Sequence, residues 1–206
     1  VVLVAKAIGY QFLPFHVKVV TRLWFADADD YKHFPNDTLR TDYPQALPQH
    51  AAYKMVQLSE ASQKFLEKRK TGAFVVLQDG QVVYEWYGRD FDASTISGSF
   101  SMAKSVVSLL IGKAIEQGKI KSVHQPVKDF LPEYAFAADT QLTIRALLTM
   151  SGGFDWKEMY INPFALTTKA YYGNDIESIL KVLKIKETPD KVWDYQSIST
   201  QVLAEM

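Results

Sequence analysis

The chain has 206 residues, 48% of them hydrophobic, enough to bury a sizeable core in one large domain or two small ones. Its 23 basic residues balance 23 acidic ones, and no basic run stands out, so nothing points to a nucleic-acid partner. Cysteine is absent, which excludes disulfides, thiolate metal sites and cysteine nucleophiles. The four histidines (His16, His33, His50 and His124) lie far apart with no metal-ligand spacing, so no metal and no cofactor are expected.

Residues 1–25 are apolar but interrupted by Lys6, Gln11, His16, Lys18 and Arg22, and the chain does not begin with Met. A full run of about 20 apolar residues is missing, so a complete transmembrane helix is not expected. Two readings stay open: the tail of an export signal or membrane anchor, or an amphipathic helix packed on the domain. Residues 26–54 read as a polar connector. Its Asp27, Asp29 and Asp30 lack the glycine and terminal glutamate of a calcium loop, and a solvated stretch is expected. Leu58 to Lys70 reads as a surface helix with Leu58, Ala61, Phe65 and Leu66 inward, ended by Gly72. Asp79-Gly80 joins two β-rich runs, 73–78 and 81–88, which predicts a hairpin with a type I′ turn. A lone hairpin is not stable, so it is expected to belong to a larger sheet. A loop over 89–98 leads out of it.

The next stretch carries chemistry. Ala103, Val106, Val107, Leu110, Ile111, Ala114 and Ile115 recur at helical spacing, Leu109 widens the stripe, and Gly118 stops it, which predicts a buried helix. Ser101 falls in its first turn and Lys104 follows three residues on, so both side chains share one face. Burial lowers a lysine's pKa, and a neutral amine can take a serine proton. Ser-x-x-Lys alone is a weak signal, because chance supplies about one match in a chain of this size and composition. From the residues alone, an activated nucleophile and a helix cap beside an exposed lysine both stay open. A second match, Ser178 to Lys181, reads as a solvated pair on an amphipathic helix over about 175–184, whose apolar face is Ile176, Ile179, Leu180 and Leu183.

Further on, 126–134 reads as a short packed loop, and 142–149 as a short helix capped by Thr143 and ended at Ser151-Gly152-Gly153. The stretch 154–173 reads as a long aromatic loop with Trp156, Tyr160, Phe164, Tyr171 and Tyr172. Loops of this length often bind or cover ligands, although an aromatic can equally tack a loop to the body. Trp156 and Tyr172 are the substrate-side candidates. A last helix is expected over 199–206, after Tyr195-Gln196-Ser197.

Taken together, Ser101-Met-Ala-Lys104, Val127-Lys-Asp-Phe-Leu-Pro132, Leu142-Thr-Ile-Arg-Ala-Leu-Leu-Thr-Met-Ser-Gly-Gly153 and Tyr195-Gln-Ser197 resemble, in order and spacing, the serine β-lactamase and penicillin-binding-protein superfamily. The class C-like branch, with its esterases and 6-aminohexanoate-dimer hydrolases, is the nearest match, over roughly 57–206. Residues 1–56 then form an apolar segment and connector. The resemblance implies an α+β, two-lobed β-lactamase-like fold: an antiparallel sheet flanked by helices, holding the hairpin 73–87, and a helical lobe over about 101–206. It implies a serine hydrolase that cleaves an ester or amide through an acyl-enzyme on Ser101. Lys104 and Tyr195 would share the proton work and Ser197 would hold the hydrogen-bond network. The Ser101 N–H would form part of the oxyanion hole. A D,D-peptidase activity and a non-catalytic binding module of the same fold are the alternatives. Tyr-Gln-Ser in place of Tyr-x-Asn tilts away from a true β-lactamase. The family's third motif, Lys-Thr-Gly or His-x-Gly on a late strand, does not follow Tyr195 before Met206. The resemblance therefore implies a chain lacking the C-terminal strands of the sheet, inactive alone, and partnered by a downstream remainder of the same protein. It also implies export, to the periplasm or a membrane anchor.

Overall fold

The structure is a computed structural model and describes residues 13–21, 27–34, 36–138, 141–160, 162 and 164–206. Most of the apolar opening stretch lies outside these residues. In chain order the elements are α1 (Phe15–Thr21), α2 (Glu60–Lys68), β1 (Ala73–Gln78), β2 (Gln81–Tyr87), α3 (Met102–Glu116), α4 (Ile144–Leu148), α5 (Leu166–Tyr172), α6 (Glu177–Leu180) and α7 (Ser197–Glu205), with short 3-10 turns at 30–33, 127–129 and 135–138. They fall into two units, residues 36–97 and residues 1–35 with 98–206.

The smaller unit is built on the hairpin. Asp79 (φ 50°) and Gly80 (φ 74°) both take the left-handed conformation that a type I′ turn requires. β1 and β2 pair antiparallel from Ala73 with Tyr87 to Gln78 with Gln81, with a bulge between Val76 and Leu77. Gln49 bridges Val82 in parallel, so a short third segment flanks β2. Val82 and Tyr84 are buried, while Tyr53 donates to the Glu85 carboxylate at 2.9 Å. Ser59 caps α2 by accepting from the Ser62 N–H. The inward face expected for α2 is not found: none of its residues is buried, and Phe65 is 58% exposed. The guanidinium of Arg69 lies over that ring, 5.4 Å from its centre.

The larger unit holds the core. Ile111, Val127, Leu131, Phe136, Leu142, Ile144, Leu147, Phe154, Ile179, Leu180, Ile198 and Val202 form one buried cluster. Each such side chain contributes roughly 1.5–3 kcal/mol through burial. α7 packs on both α3 and α4, and α1 packs on α5. Thr143 accepts from the Ala146 N–H and so starts α4. Residues 153–155 pair with 184–187 through Asp155 N–H to Lys184 O at 2.8 Å and Lys186 N–H to Gly153 O at 2.8 Å.

Three expectations change here. The helix α3 is present and Gly118 ends it (φ 70°), but it is not buried on most sides. Ile111 is buried and Val107, Ala114 and Ile115 pack on the core, whereas Val106, Leu109 and Leu110 are 56–72% exposed. Only one stripe meets the core, and Lys104 stands at the N-terminal end of that stripe, on the same side as Val107 and Ile111. The stretch 154–173 is not all loop: α5 occupies Leu166–Tyr172, held partly by Thr167 and Thr168, whose hydroxyls donate to the carbonyls of Lys157 (2.5 Å) and Asn162 (2.7 Å). Nor is Asp30 solvated. It is 2% exposed and accepts from Tyr171 OH at 2.9 Å and Asp27 N–H at 3.0 Å.

Candidate active site

Ser101 is placed by a strained entry into α3. Phe100, just before it, has φ 47°, a conformation costing about 1–2 kcal/mol for a bulky L-residue. Ser101 occupies the N-cap position, yet its side chain makes no capping bond. The hydroxyl is instead turned to Tyr195, 2.6 Å from the phenol oxygen, and accepts from Lys104 Nζ at 3.1 Å. Lys104 Nζ also sits 5.2 Å from the centre of the Tyr195 ring. The Ser101 N–H makes no hydrogen bond to any described residue. The structure thus brings together the three residues singled out from sequence, and the capping alternative for Ser101 falls away.

Tyr195 reaches this position along a strap, residues 186–195, that runs against the Ser151-Gly152-Gly153 segment. Gly153 has φ 73°, and a Cβ there would lie 2.2 Å from the Glu187 carbonyl oxygen, so only glycine lets the strap pass. Arg145 pairs with Asp190, Asp190 N–H bonds Ser151 O at 2.8 Å, and Asp194 N–H bonds Met150 O at 2.9 Å. The Tyr195 phenol is held below its ordinary pKa, first by the Ser101 hydrogen bond and then by the hydrogen bond and positive charge of Lys104. Desolvation and the Glu158 charge work in the opposite direction.

Three further residues complete the site, and sequence reasoning did not single them out. The Glu158 carboxylate accepts from Trp156 Nε1 at 3.0 Å, from Tyr160 OH at 2.5 Å and from the backbone N–H of Ser197. The Tyr160 phenol is pushed up to about 12, first by burial and then by its bond to Glu158, with a Ser197 hydrogen bond opposing. The Gln196 amide is 3% exposed and donates to the carbonyls of Phe154 at 2.9 Å and Trp156 at 3.3 Å. No spacing rule marks Glu158 or Gln196 in the sequence. Tyr160 was visible only as one aromatic among five.

Beside Ser101 opens a cavity of about 480 Å³, walled by Phe100, Lys104, Trp156, Tyr160, Tyr171, Ile176, Ser197 and Ile198 among others. Trp156 lines this cavity. Tyr172 does not line the cavity. It is buried, with its ring near Phe34 and Tyr171, and its neighbour Tyr171 lines the cavity instead. The second Ser-x-x-Lys match makes no pair: Ser178 Oγ accepts from Lys169 at 3.0 Å, and Lys181 pairs with Glu177 at 2.7 Å. Lys70-Thr71-Gly72 spells the family's third motif, but early in the chain, where it forms the exit of α2. Lys70 has φ 52° and Thr71 N–H bonds Leu66 O at 3.0 Å. Among the described residues no cluster of three potential metal ligands occurs, and no helix is long and apolar enough to cross a membrane.

A helical body that carries a serine, a lysine three residues on and a tyrosine meeting them from a distant strap defines a class of serine-centred site. Residues 58–206 match the Beta-lactamase family, and the chain belongs to it. The 6-aminohexanoate-dimer hydrolase of Paenarthrobacter ureafaciens is 31% identical over 98 residues, which are 48% of this chain and 25% of that protein. A solved Bacillus anthracis protein, assigned by name alone to the 6-aminohexanoate-dimer hydrolases, matches with a TM-score of 0.53. It is 21% identical, over 69% of this chain and 40% of the solved one, a likeness that speaks to the fold. The fold is α+β and β-lactamase-like, and the chain spans well under two thirds of either relative's length.

Proposed function

We propose that the protein is a serine hydrolase that cleaves an ester or amide bond through a covalent acyl-enzyme on Ser101. The observation that carries the reading is the convergence on the Ser101 hydroxyl of Tyr195 at 2.6 Å and Lys104 at 3.1 Å. In this reading Ser101 Oγ attacks the carbonyl carbon and its proton passes to the Tyr195 oxygen, with Lys104 balancing the charge. The carbonyl oxygen becomes an oxyanion beside the Ser101 N–H, at the start of α3, where the helix dipole favours negative charge. The leaving alkoxide or amine departs with a proton from Tyr195, leaving an ester on Ser101. Water then attacks that ester and gives a proton to Tyr195, the bond from the acyl carbon to Ser101 Oγ breaks, Tyr195 returns that proton to Ser101 Oγ, and the acid leaves. Ser197, on the cavity wall, helps hold this hydrogen-bond network.

The relatives are named hydrolases, which supports the class. Because the chain spans only part of their length, activity is proposed for the full-length protein, with additional polypeptide covering the apolar side chains exposed on α3 and β1. Export is likewise a proposal, resting on the apolar opening stretch and the family. Recovery of the tagged protein in the cytosolic fraction contradicts it. The test of function is turnover of a short p-nitrophenyl ester by the full-length protein, compared with Ser101→Ala. Loss of turnover in the variant is expected, and turnover that survives it refutes the reading. Stable penicillin labelling without ester turnover would favour a D,D-peptidase. Neither labelling nor turnover would favour a binding module.

A further inference from the structure

We propose that Glu158 is a positioning residue of this site: its carboxylate fastens the 154–160 loop to the first turn of α7 and so holds Tyr195 on Ser101. The inference rests on the roles proposed above for Ser101, Lys104 and Tyr195.

A helix leaves its first backbone N–H groups without partners, and a side chain at the N-cap position usually supplies an acceptor. α7 has no such cap. Its N-cap residue is Gln196, whose side chain makes no capping bond. That amide is committed elsewhere, donating to Phe154 O, Trp156 O and the Asp194 carboxylate, the last at 2.9 Å. The Ser197 N–H finds its acceptor across the site, on Glu158. A carboxylate suits this place, because the N-terminal end of a helix carries partial positive charge. The same carboxylate also takes Trp156 Nε1 and Tyr160 OH, so two walls of the cavity are fixed by the group that caps α7.

Tyr195 stands between these fastenings. Gln196, on its C-terminal side, is bolted to the 154–156 backbone, and Asp194, on its N-terminal side, is bonded to Met150 O. Glu158 closes the frame at Ser197. Trp156 is bound by both, through its indole N–H to Glu158 and its carbonyl to Gln196, so the loop is tied to the tyrosine segment at two neighbouring points. A displacement of about 1 Å at a reacting group can cost about 100-fold in rate. The carboxylate also contributes charge. The groups acting on the Tyr195 phenol are Ser101 at the N-cap of α3, Lys104 from α3, and Glu158 and Tyr160 from the loop, and Lys104 and Glu158 act on its ionisation in opposite directions.

The test is the pH dependence of kcat and KM for p-nitrophenyl ester turnover by full-length wild type, Glu158→Gln and Glu158→Asp, with melting temperatures measured alongside. Glu158→Gln keeps the size and removes the charge. Its kcat is expected to fall about tenfold or more, and the rising limb that reports Tyr195 ionisation is expected to move to lower pH. Glu158→Asp keeps the charge but cannot reach all three donors, so kcat falls while the limb stays. A limb that does not move in Glu158→Gln overturns the proposal, because a purely structural role lowers kcat without shifting the profile. Wild-type kcat in both variants overturns it as well. If Glu158→Gln does not fold, Glu158→Asp carries the test: an about tenfold loss of kcat at an unchanged melting temperature supports the proposal, and wild-type kcat overturns it. Turnover that survives Ser101→Ala would remove the underlying reading, a failure distinct from any result at Glu158.

Discussion

Gly153→Ala should disturb stability and turnover together, and the structure sets the size of both effects. Gly153 has φ 73°, a conformation that costs an alanine about 1–2 kcal/mol. The added Cβ would stand 2.2 Å from the Glu187 carbonyl oxygen, so the two segments must part by roughly 1 Å to reach ordinary contact. That separation breaks the bonds from Lys186 N–H at 2.8 Å and Glu187 N–H at 3.0 Å to Gly153 O, each worth about 0.5–1.5 kcal/mol. The sum is roughly 2–5 kcal/mol, against a total stability of about 5–15 kcal/mol for a typical domain. The strap from 186 onward ends in Tyr195, so the same shift moves the phenol from Ser101 and should cost about 100-fold in turnover. Urea denaturation of full-length wild type and variant, with ester kinetics on both, measures the two effects. A variant with the wild-type midpoint and wild-type kcat would refute the claim that Gly153 sets the course of the strap.

Tyr195→Phe removes the proton carrier and keeps the ring, and kcat/KM should fall by about 10²–10⁴. Ester kinetics within twofold of wild type would contradict the role. Thr143→Ala deletes the bond to the Ala146 N–H and should lower stability by about 1 kcal/mol, read as a urea midpoint shift at unchanged slope. The Tyr160 phenol, raised to about 12 in the folded protein, keeps a proton that the unfolded chain loses above its ordinary value of about 10. Its stabilising contribution is therefore complete below pH 10 and is lost as pH rises from 10 through 12. The two-unit shift corresponds to about 2.7 kcal/mol before screening, and because Tyr160 is 49% exposed about 1 kcal/mol is the realistic size. Tyr160→Phe should lose less stability than wild type between pH 10 and 12, and equal losses would contradict this.

The parts of the fold legible in the sequence are those set by local rules. Asp79-Gly80 announces its turn because both positions need positive φ, Thr143 announces a cap, and Gly118 a stop. Ser101 and Lys104 are legible because helical spacing alone puts them on one face. Tyr195 is 94 residues from Ser101, and only the family pattern connects them. What was not legible depends on contacts that no local pattern encodes. α5 (Leu-Thr-Thr-Lys-Ala-Tyr-Tyr) is rich in β-branched and aromatic residues and has no capping side chain, so propensity argues against it, and bonds from Thr167 and Thr168 to the 157–162 backbone hold it. The exposure of Val106, Leu109 and Leu110 is hidden because an apolar run shows which residues can be buried, not which of them are covered. Glu158 and Gln196 act by reaching across loops, and a single acidic or amide residue carries no periodic signal.

The central claim is that Ser101 is an activated nucleophile. Intact-mass spectrometry of the full-length protein after exposure to a fluorophosphonate, with peptide mapping of the adduct and Ser101→Ala as control, tests it most directly. The account predicts a single phosphonyl adduct on Ser101, absent from the variant and formed more slowly in Tyr195→Phe. A folded protein that gains no adduct, or gains one elsewhere while Ser101 stays unmodified, would contradict it.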